Sequence, residues 1–566
     1  MRIALLNCYL QGGHTENAEV ESSARFAEAA RRLGIEARTF ARSEDIAAFQ
    51  PDFVLSLSYN DAKLTGFPTY VLLTAPPGWF AALPRFQRNV ISYDGYWTVS
   101  PSVSRTLAAL CARAGKPDLG AFAAISCART VFAPLDFARA HAAYIGTNWD
   151  GERHGEVFRA LAPTGAARFY GKRARWSHLP ASAFGGEVPF DGKAVIETYR
   201  RAGIGLCLGH PDFDADGIPT SRTFEVPAAS AVVIAARNAL VEEAFGDAVL
   251  YVDTGGPPAA VADAIRGHVE WVRAHPAQAR EMAEAAHRVF NARFALETML
   301  ENALEMHRRA GRTLGFAAPD GAAEAGDFDA TVLIAVRDAA FGRFARCLDS
   351  VLGQTLAPRR VIVLDGTQGG RARAALAARA DARHVQCRPL GRGPAGWTAL
   401  LARAWDDVAG DWVCCLSANE VLYPNHLFAA AAAAHRHRAR HAGAEPAFVY
   451  SGLVEISDAA ALPELMIDHY NVLRSEHMRL AQFDFRPAWA SALRLPVHPA
   501  SCLLHVPALA ATMRRRVLVG LFPALLAARL RALARGGHAA FTASVTLATS
   551  GSRAYAGYGH FAPPAD

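Results

Sequence analysis

The sequence predicts an α/β protein made of several doubly wound domains, and three observations favour this class. Short apolar segments with the length of strands alternate with helical segments through most of the chain. A length of 566 residues is too great for a single hydrophobic core. The composition, with 51% hydrophobic and 20% charged residues, is that of a globular rather than a disordered protein.

Composition and charge also narrow the class of protein. The sequence has no uninterrupted apolar run of the roughly 18 residues that a membrane-spanning helix requires. The apolar N-terminal segment runs into two glycines without a cleavage-type sequence, so we expect a first strand and not a signal peptide. Nine scattered cysteines without a C-x-x-C pair indicate reduced thiols in a cytoplasmic protein. A net charge of +6 is small for this length, and we expect no nucleic-acid partner.

Residues 1–138 are predicted to form a first doubly wound domain. Gly12, Gly13 and His14 follow the first strand, at the edge of the sheet where such domains bind ligands. Two adjacent glycines let the backbone approach a ligand closely, although a plain turn explains them equally well. These three residues are therefore candidate contacts in a cleft. The strands are expected at 2–8, 35–40, 53–59, 70–74 and 96–99, and the helices at 17–33 and 103–114.

Residues 139–311 are predicted to form a second domain of the same kind. Apolar residues recur at helical spacing from 257 to 311, with a break near Pro276. Lys172 follows one strand beside a second cation, where the two could meet a diphosphate, but a solvated loop is the more common explanation. The strands are expected at 143–146, 168–171, 203–208, 232–236 and 249–252.

The most informative segment of this domain is 219–253, with the sequence PTSRTFEVPAASAVVIAARNALVEEAFGDAVLYVD. It predicts a helix over 222–230, a buried strand, a second helix and another strand. Thr220 or Ser221 starts the first helix, and Glu225 falls in its first turn, where the helix dipole favours a carboxylate. The free N–H groups at that end would also attract an anionic ligand.

This segment resembles the donor-binding segment of the group 1 glycosyltransferases of GT-B fold, in particular their spore-maturation-protein-like branch. The resemblance implies that Glu225 holds the ribose hydroxyls of a nucleotide-sugar donor. It also implies that Arg222 meets the donor's diphosphate, and Ser221 and Lys172 are further candidate donor-binding residues. The glycine that usually follows the small-residue helix is Ser230 here, and a helix-start carboxylate without a ligand is the alternative for Glu225. The matching residues are Phe224-Glu225, Ala228-Ala229-Ser230, Val232-Val233-Ile234, Glu242-Glu243 and Val252-Asp253.

The resemblance further implies that residues 1–311 make a complete GT-B transferase of two Rossmann-like domains. Its active cleft would lie between the domains and would require no cofactor and no metal. The sequence singles out no catalytic base in this half. Residues 312–327 are rich in Gly, Ala and Pro, which is typical of a linker.

Residues 328–566 resemble the family 2 glycosyltransferases of GT-A fold, through FDATVLIAVRD, CLDSVLGQT and RRVIVLDGTQ. The resemblance is specific to about residue 455, and it implies that Asp365 contacts the nucleotide base. The acidic pair that binds Mn²⁺ or Mg²⁺ in that family corresponds to Ser417 and Asn419, followed by Glu420. A hydroxyl and an amide replace carboxylates poorly as ligands for these hard cations.

Two interpretations of this half remain open. In the first, it is a degenerate GT-A-like domain that serves acceptor binding, docking or dimerisation. In the second, it is a divergent enzyme that uses a divalent metal with Glu420, Asp468 or Glu476. The chain has no Asp or Glu from 485 to 565, where the family's catalytic base is expected. We favour the first interpretation, because losing ligands and base together removes most electrostatic stabilisation of the reaction.

The expected function is that of a nucleotide-sugar-dependent glycosyltransferase, hexosyl or similar, in polysaccharide biosynthesis or a related process. Its acceptor would be a glycan, a lipid-linked glycan or a protein. The alternatives are a bifunctional transferase with both halves active, or a non-catalytic scaffold that binds sugar nucleotides or glycans. The amphipathic stretch 513–535 could place the protein on the inner face of a membrane. The oligomeric state is not indicated.

Overall fold

The computed structural model describes residues 1–7, 9–10, 18–61, 63, 65–81, 84–113, 116–148, 153–316, 328–390, 397–446, 448–456, 478–481, 502–508 and 539–549. Over these described residues, the protein is of the α/β class and has three separate sheets. Several predicted features lie outside the described residues, namely Gly12, Gly13, His14, Asp468, Glu476 and the stretch 513–535.

The first domain is a six-stranded parallel sheet with the order β2-β1-β3-β4-β5-β6. Strand order reverses between β1 and β3. The strands are β1 (Arg2–Leu6), β2 (Glu36–Phe40), β3 (Phe53–Ser56), β4 (Thr69–Leu73), β5 (Gly95–Thr98) and β6 (Gly120–Phe122). The helices are α1 (Ala18–Arg32), α2 (Ile46–Phe49), α3 (Pro77–Phe80), α4 (Pro84–Ser92) and α5 (Pro101–Arg113).

The second domain is another six-stranded parallel sheet, with the order β12-β11-β10-β7-β8-β9. Its strand order reverses between β7 and β10. The strands are β7 (His141–Ile145), β8 (Ala167–Tyr170), β9 (Phe184–Gly186), β10 (Gly203–Cys207), β11 (Val232–Ala236) and β12 (Val249–Val252). The helices are α6 (Gly155–Leu161), α7 (Ala194–Ala202), α8 (Pro211–Ala215), α9 (Arg222–Ala228), α10 (Ala239–Phe245), α11 (Pro258–Ala274), α12 (Pro276–Val289) and α13 (Leu296–Leu314).

Helix α13 returns to the first domain. Met299 and Leu300 are buried in the same apolar core as residues of the first sheet. The His307 ring lies 2.7 Å from the Tyr70 hydroxyl, and the Met299 sulfur accepts a hydrogen bond from the amide of Ala124. The helix continues to Leu314, beyond the predicted start of the linker at 312. The first two domains therefore share one core.

The third sheet begins with four parallel strands in the order β15-β14-β13-β16 and continues through β20, β18, β21 and β17. Strand β19 pairs with β18. The strands are β13 (Ala330–Arg337), β14 (Arg360–Gly366), β15 (Gln386–Pro389), β16 (Trp412–Ser417), β17 (Glu420–Leu422), β18 (Phe448–Ile456), β19 (Met478–Ala481), β20 (Cys502–His505) and β21 (Ala539–Thr549). The helices are α14 (Phe344–Leu352), α15 (Arg371–Ala377), α16 (Trp397–Ala404) and α17 (His426–Arg440).

The third sheet and its helices pack against the first domain. The Tyr423 hydroxyl donates to the backbone carbonyl of Lys63 at 2.5 Å, and the Lys63 ammonium lies 5.0 Å from the centre of the Tyr423 ring. The side-chain amide of Asn425 donates to the carbonyl of Leu314 at the end of α13. None of the helices in the described part of the chain is both long and apolar enough to cross a membrane.

Candidate functional site

The carboxyl ends of β7 and β10 meet where the strand order of the second sheet reverses. Open α/β sheets bind ligands in the crevice at such a point. The guanidinium of Arg222 lies there: it donates to the carbonyl of Ile145 at 2.6 Å and to that of Leu208 at 2.9 Å. It also lies over the Tyr144 ring, 4.5 Å from its centre. Arg222 therefore places a cation at the crevice and holds two strand ends together.

Further charged groups converge on the same edge, and the sequence analysis did not single them out. Burial raises the pKa of Asp214 to about 6, while nearby Arg222, His210 and Arg153 oppose this shift. The His154 ring donates to the carbonyl of Gly209, immediately after β10, at 2.7 Å. These residues follow β7 and β10 in the sequence. Their proximity depends on the order of the strands in the sheet, which the sequence analysis did not predict. We call Arg153, His154, His210, Asp214 and Arg222 the switch-point cluster.

The start of helix α9 differs from the expectation. Ser221 has helical backbone angles (φ −55°, ψ −35°), and its side chain makes no capping hydrogen bond. The amides of Thr223, Phe224 and Glu225 donate to the carbonyls of Thr220 and Ser221. Three of the N–H groups that the sequence predicted to be free for an anion are therefore already paired, because the preceding loop is itself wound into a turn.

Glu225 lies at the interface between the first two domains. It is 5% exposed, and its Oε1 accepts a hydrogen bond from Nη1 of Arg25, on α1 of the first domain, at 2.7 Å. Oε1 of Glu21 accepts hydrogen bonds from Nη2 (2.6 Å) and Nε (3.0 Å) of the same guanidinium. The other oxygen of Glu21 accepts from the amide of Gly192 in the second domain. The predicted donor-binding carboxylate is thus one member of a buried charged group that joins two domains.

The sequence analysis named two other residues of the second domain, Lys172 and Ser230. Lys172 is exposed and follows β8, the neighbour of β7 on the side away from β10. Ser230 adopts a left-handed conformation (φ 63°), which favours the glycine that the resemblance led us to expect. Its hydroxyl accepts a hydrogen bond from the amide of Ala133 at 3.0 Å. The serine thus adds a contact to the segment that joins the two domains.

One rim of the cleft between the first two domains is bridged by side chains. The Trp79 indole N–H donates to Asp212 at 2.9 Å, and its ring packs edge-on against His210 and Phe213. Ser102 donates to Asp216 at 2.6 Å. The first domain therefore covers the end of the second sheet that carries the switch-point cluster.

In the third sheet, the predicted remnant site lies at the carboxyl ends of β14 and β16. Burial alone would raise the pKa of Asp365, but hydrogen bonds from the Thr367 hydroxyl and amide and from the Arg373 amide outweigh it and lower the pKa. These bonds occupy both carboxylate oxygens. Asp365 therefore remains ionised and is held by its own loop.

The positions that correspond to the metal-binding pair hold no carboxylate. Asn419 is 5% exposed, and its Oδ1 accepts from Nη1 of Arg343 at 2.8 Å. Glu420 is fully buried, accepts from the amide of Ser417, and its pKa is raised by burial to about 7. No described residue hydrogen-bonds to Glu420 Oε1. Within the described part of the chain, no three His, Cys, Asp or Glu side chains are grouped closely enough to hold a metal ion.

Comparison with known proteins relates the second domain to one family. Residues 153–305 match the family model described as "Glycosyl transferase-like". This match begins at Arg153 and includes the rest of the switch-point cluster and Glu225. No curated protein sequence matches the chain.

Solved structures with low similarity cover about half of the chain. A sucrose-phosphate synthase from Thermosynechococcus elongatus has 12% identity over 55% of this chain and 98% of its own, with a TM-score of 0.39. The Anabaena protein Alr3699/HepE, in complex with UDP-glucose, has 12% identity over 56% and 100%, with a TM-score of 0.37. An alpha-glucosyltransferase in complex with UDP and DNA has 10% identity over 54% and 99%, with a TM-score of 0.40. Scores this low carry no information about the reaction of this chain.

Proposed function

We propose that the first two domains form a glycosyltransferase that takes a sugar from a nucleotide-sugar donor bound at the carboxyl edge of the second sheet. One observation carries the proposal. Arg222 and Glu225, which the sequence resemblance assigns to the donor's diphosphate and ribose, lie on one helix beside the point where strand order reverses. Both lie within the segment that matches the glycosyltransferase-like family model.

The cations of the switch-point cluster suit the leaving group of such a reaction. The bond between the anomeric carbon and the donor's phosphate oxygen breaks, and a bond from that carbon to an acceptor oxygen forms. The nucleoside diphosphate departs with the electron pair, and the acceptor hydroxyl releases its proton to solvent. Arg222 and Arg153, with Lys172 at the next strand, would stabilise the charge that develops on the diphosphate. We propose that these side chains do so without a metal.

The third sheet and its helices are best interpreted as a degenerate GT-A-like domain. Four of its strands are parallel, and Asp365 lies in one of them, which supports this proposal. Asn419 instead contacts the Arg343 guanidinium, and Glu420 is buried against Ser417, so these two positions do not offer a pair of carboxylates to a metal. We propose that this domain docks or binds the acceptor rather than catalyses transfer. A bifunctional enzyme with a divalent metal in this half is the second candidate.

The acceptor, setting and location remain proposals of the same kind. We propose a glycan, lipid-linked or protein acceptor, in polysaccharide biosynthesis or a related process. We further propose a cytoplasmic protein, with stretch 513–535 as its contact with a membrane surface. The alternative is a non-catalytic scaffold that binds sugar nucleotides. A measurement of turnover distinguishes such a scaffold from an enzyme.

Calorimetric titration of the full-length chain tests the proposal. UDP-, GDP- and dTDP-sugars are titrated into the protein, first in the presence of EDTA and then in the presence of Mn²⁺. We expect binding of one donor class in EDTA, and a loss of at least about tenfold in affinity for Glu225→Gln, since a hydrogen bond to a charged group is removed. Arg237→Gln, at an exposed ion pair of the same domain, is the matched control and should bind like the wild type.

The outcomes separate the alternatives. If donor binding requires Mn²⁺ and is lost in Asn419→Ala but not in the other variants, the result would instead support an active third domain. Binding without release of nucleoside diphosphate in the presence of candidate acceptors would favour a scaffold. Wild-type protein that binds none of the donors contradicts the proposal.

A further inference from the structure

We infer that Arg25 of the first domain is a positioning residue for the ribose-binding carboxylate of the second, so that recognition of the donor's ribose depends on contact between the two domains. The inference rests on the proposed role of Glu225. Nothing in the sequence pattern joins these residues, which are 200 positions apart.

The contact is buried and specific. Nη1 of Arg25 donates to Oε1 of Glu225 at 2.7 Å, and the two side chains are 3% and 6% exposed. Two further donors of the guanidinium, Nη2 and Nε, are bound to a single oxygen of Glu21. Because Arg25 is held on both sides, its planar group fixes the orientation of the Glu225 carboxylate.

Oε1 of the Glu225 carboxylate is therefore bound by Arg25, and the second oxygen, Oε2, is not. In the described part of the chain, the hydrogen bond that the Glu225 carboxylate accepts comes from Arg25 and goes to Oε1. A carboxylate can accept several hydrogen bonds, and two neighbouring hydroxyls of a ribose are suitable donors. Arg25 fixes Oε1 and so leaves Oε2 as the oxygen available for a ribose hydroxyl.

The same contact links this geometry to the arrangement of the domains. Arg25 and Glu21 lie on α1 of the first domain, whereas Glu225 and Gly192 belong to the second. Glu21 accepts the amide of Gly192 at 2.8 Å, which places α1 against the second domain. If the domains separate, Glu225 loses the group that orients it. Donor recognition is then complete only when the domains are in contact.

Arg25 could instead serve only to hold the two domains together, and the ratio of two affinities distinguishes the roles. The full-length protein is titrated with UDP and GDP and with their 2′-deoxy counterparts. A carboxylate that reads the ribose hydroxyls makes the ribonucleotide bind more tightly, by about tenfold. A contact that is merely structural would change both affinities together and would leave their ratio unchanged.

Two variants of Arg25 are compared. Arg25→Lys keeps the charge but cannot contact both carboxylates with a planar fork. Arg25→Met combined with Glu21→Gln removes the guanidinium together with one of the two negative charges that it neutralises. We expect the ratio to fall about threefold or more in the first variant and to approach one in the second. Arg31→Met, at an exposed ion pair on the same helix, is the control and should keep the wild-type ratio.

Near-UV circular dichroism shows whether each variant is folded. If the double variant does not fold, the affinity ratio of Arg25→Lys alone tests the inference. A wild-type ratio in folded Arg25→Lys, together with a reduced ratio in Glu225→Gln, overturns the inference and leaves the proposed function standing. A wild-type protein that binds neither nucleotide, or a ratio that Glu225→Gln does not change, overturns the role of Glu225 and the inference with it.

Discussion

Asp214 shows how one buried carboxyl controls the charge at the carboxyl edge of the second sheet. Burial raises its pKa to about 6, although Arg222, His210 and Arg153 stabilise its ionised form. Above that pH, Asp214 is an anion among cations and reduces the positive potential that a diphosphate would meet. Below it, the neutral acid leaves the guanidinium charges uncompensated. The protonation state of one side chain therefore sets how strongly this edge attracts an anion.

We predict that the affinity for a nucleotide sugar rises as the pH falls from 8 to 5.5. The diphosphate of such a donor keeps its charge over this range, whereas Asp214 becomes neutral. The removal of one negative charge near the ligand should strengthen binding by about fivefold, on the order of 1 kcal/mol. Calorimetric titration of the donor that binds best, at several pH values, measures the effect.

Asp214→Asn is the control for this pH dependence. It should bind at pH 8 about as tightly as the wild type does at pH 5.5. Stability gives a second readout. Because the pKa of Asp214 in the folded protein lies above its ordinary value of 3.8, the stabilisation from Asp214 is fully present below about pH 4 and is lost as the pH rises through 6. An unchanged slope of affinity in Asp214→Asn would contradict the assignment.

At the scale of elements, close packing of α9 on β10 places the site. Gly205 lies in the middle of β10, and a Cβ atom there would overlap the side chain of Val226 on α9. The absence of a side chain lets the helix approach the strand, which brings Arg222 and Glu225 to the sheet edge. The helix position, and hence the geometry of two predicted donor contacts, depends on one glycine.

We predict that Gly205→Ala destabilises the protein by about 1–3 kcal/mol, because the added methyl overpacks a buried contact with a β-branched residue. It should also weaken donor binding, since α9 must shift. Gly267→Ala is the matched control: a Cβ there meets nothing within 4 Å, and the residue lies inside α11. This control should be neutral or more stable by up to about 1 kcal/mol. Equal unfolding midpoints for the two variants in urea would show that the contact is not tight.

The accuracy of the sequence prediction varied with the kind of element. Strands β11 and β12 begin and end where the apolar runs predicted, because parallel strands covered on both faces are continuous apolar segments. Strands β6 and β9 were missed, since each has three residues at the edge of a sheet. The break after α12 was also missed, because the apolar spacing continues through buried Phe290 and Phe294 in a π-helical turn.

The candidate site was predictable only in part, for a physical reason. The local pattern around Arg222 and Glu225 identified one helix and its functional class. The pairing of Arg25 with Glu225, and the approach of Arg153 to Asp214, depend on strand order and on how two domains meet. Neither is encoded in a short window of sequence. The same limit applies to Arg343, whose contact with Asn419 spans 76 positions.

At the scale of the whole molecule, described residues attach the third sheet and its helices to the first domain. Tyr423 follows β17, close in sequence to Asn419 and Glu420, and its hydroxyl bonds to the backbone of Lys63. Asn425 bonds to the end of α13, which itself packs on the first domain.

We predict that Tyr423→Ala detaches the third domain from the first. It removes a side chain that is 5% exposed, its hydrogen bond to Lys63 and its contact with the Lys63 ammonium, at a cost of about 3–5 kcal/mol. The radius of gyration from small-angle X-ray scattering should increase, and amide exchange should accelerate near residues 63 and 423. Tyr423→Phe, which loses only the hydroxyl, should cost about 1 kcal/mol and keep the domains together. Tyr251→Phe is the control within one domain, because its hydroxyl also donates to a backbone carbonyl.

If the third domain serves the acceptor, Tyr423→Ala should slow sugar transfer while donor affinity stays at the wild-type value. A variant with an increased radius and an unchanged transfer rate would show instead that the attachment has no part in the reaction.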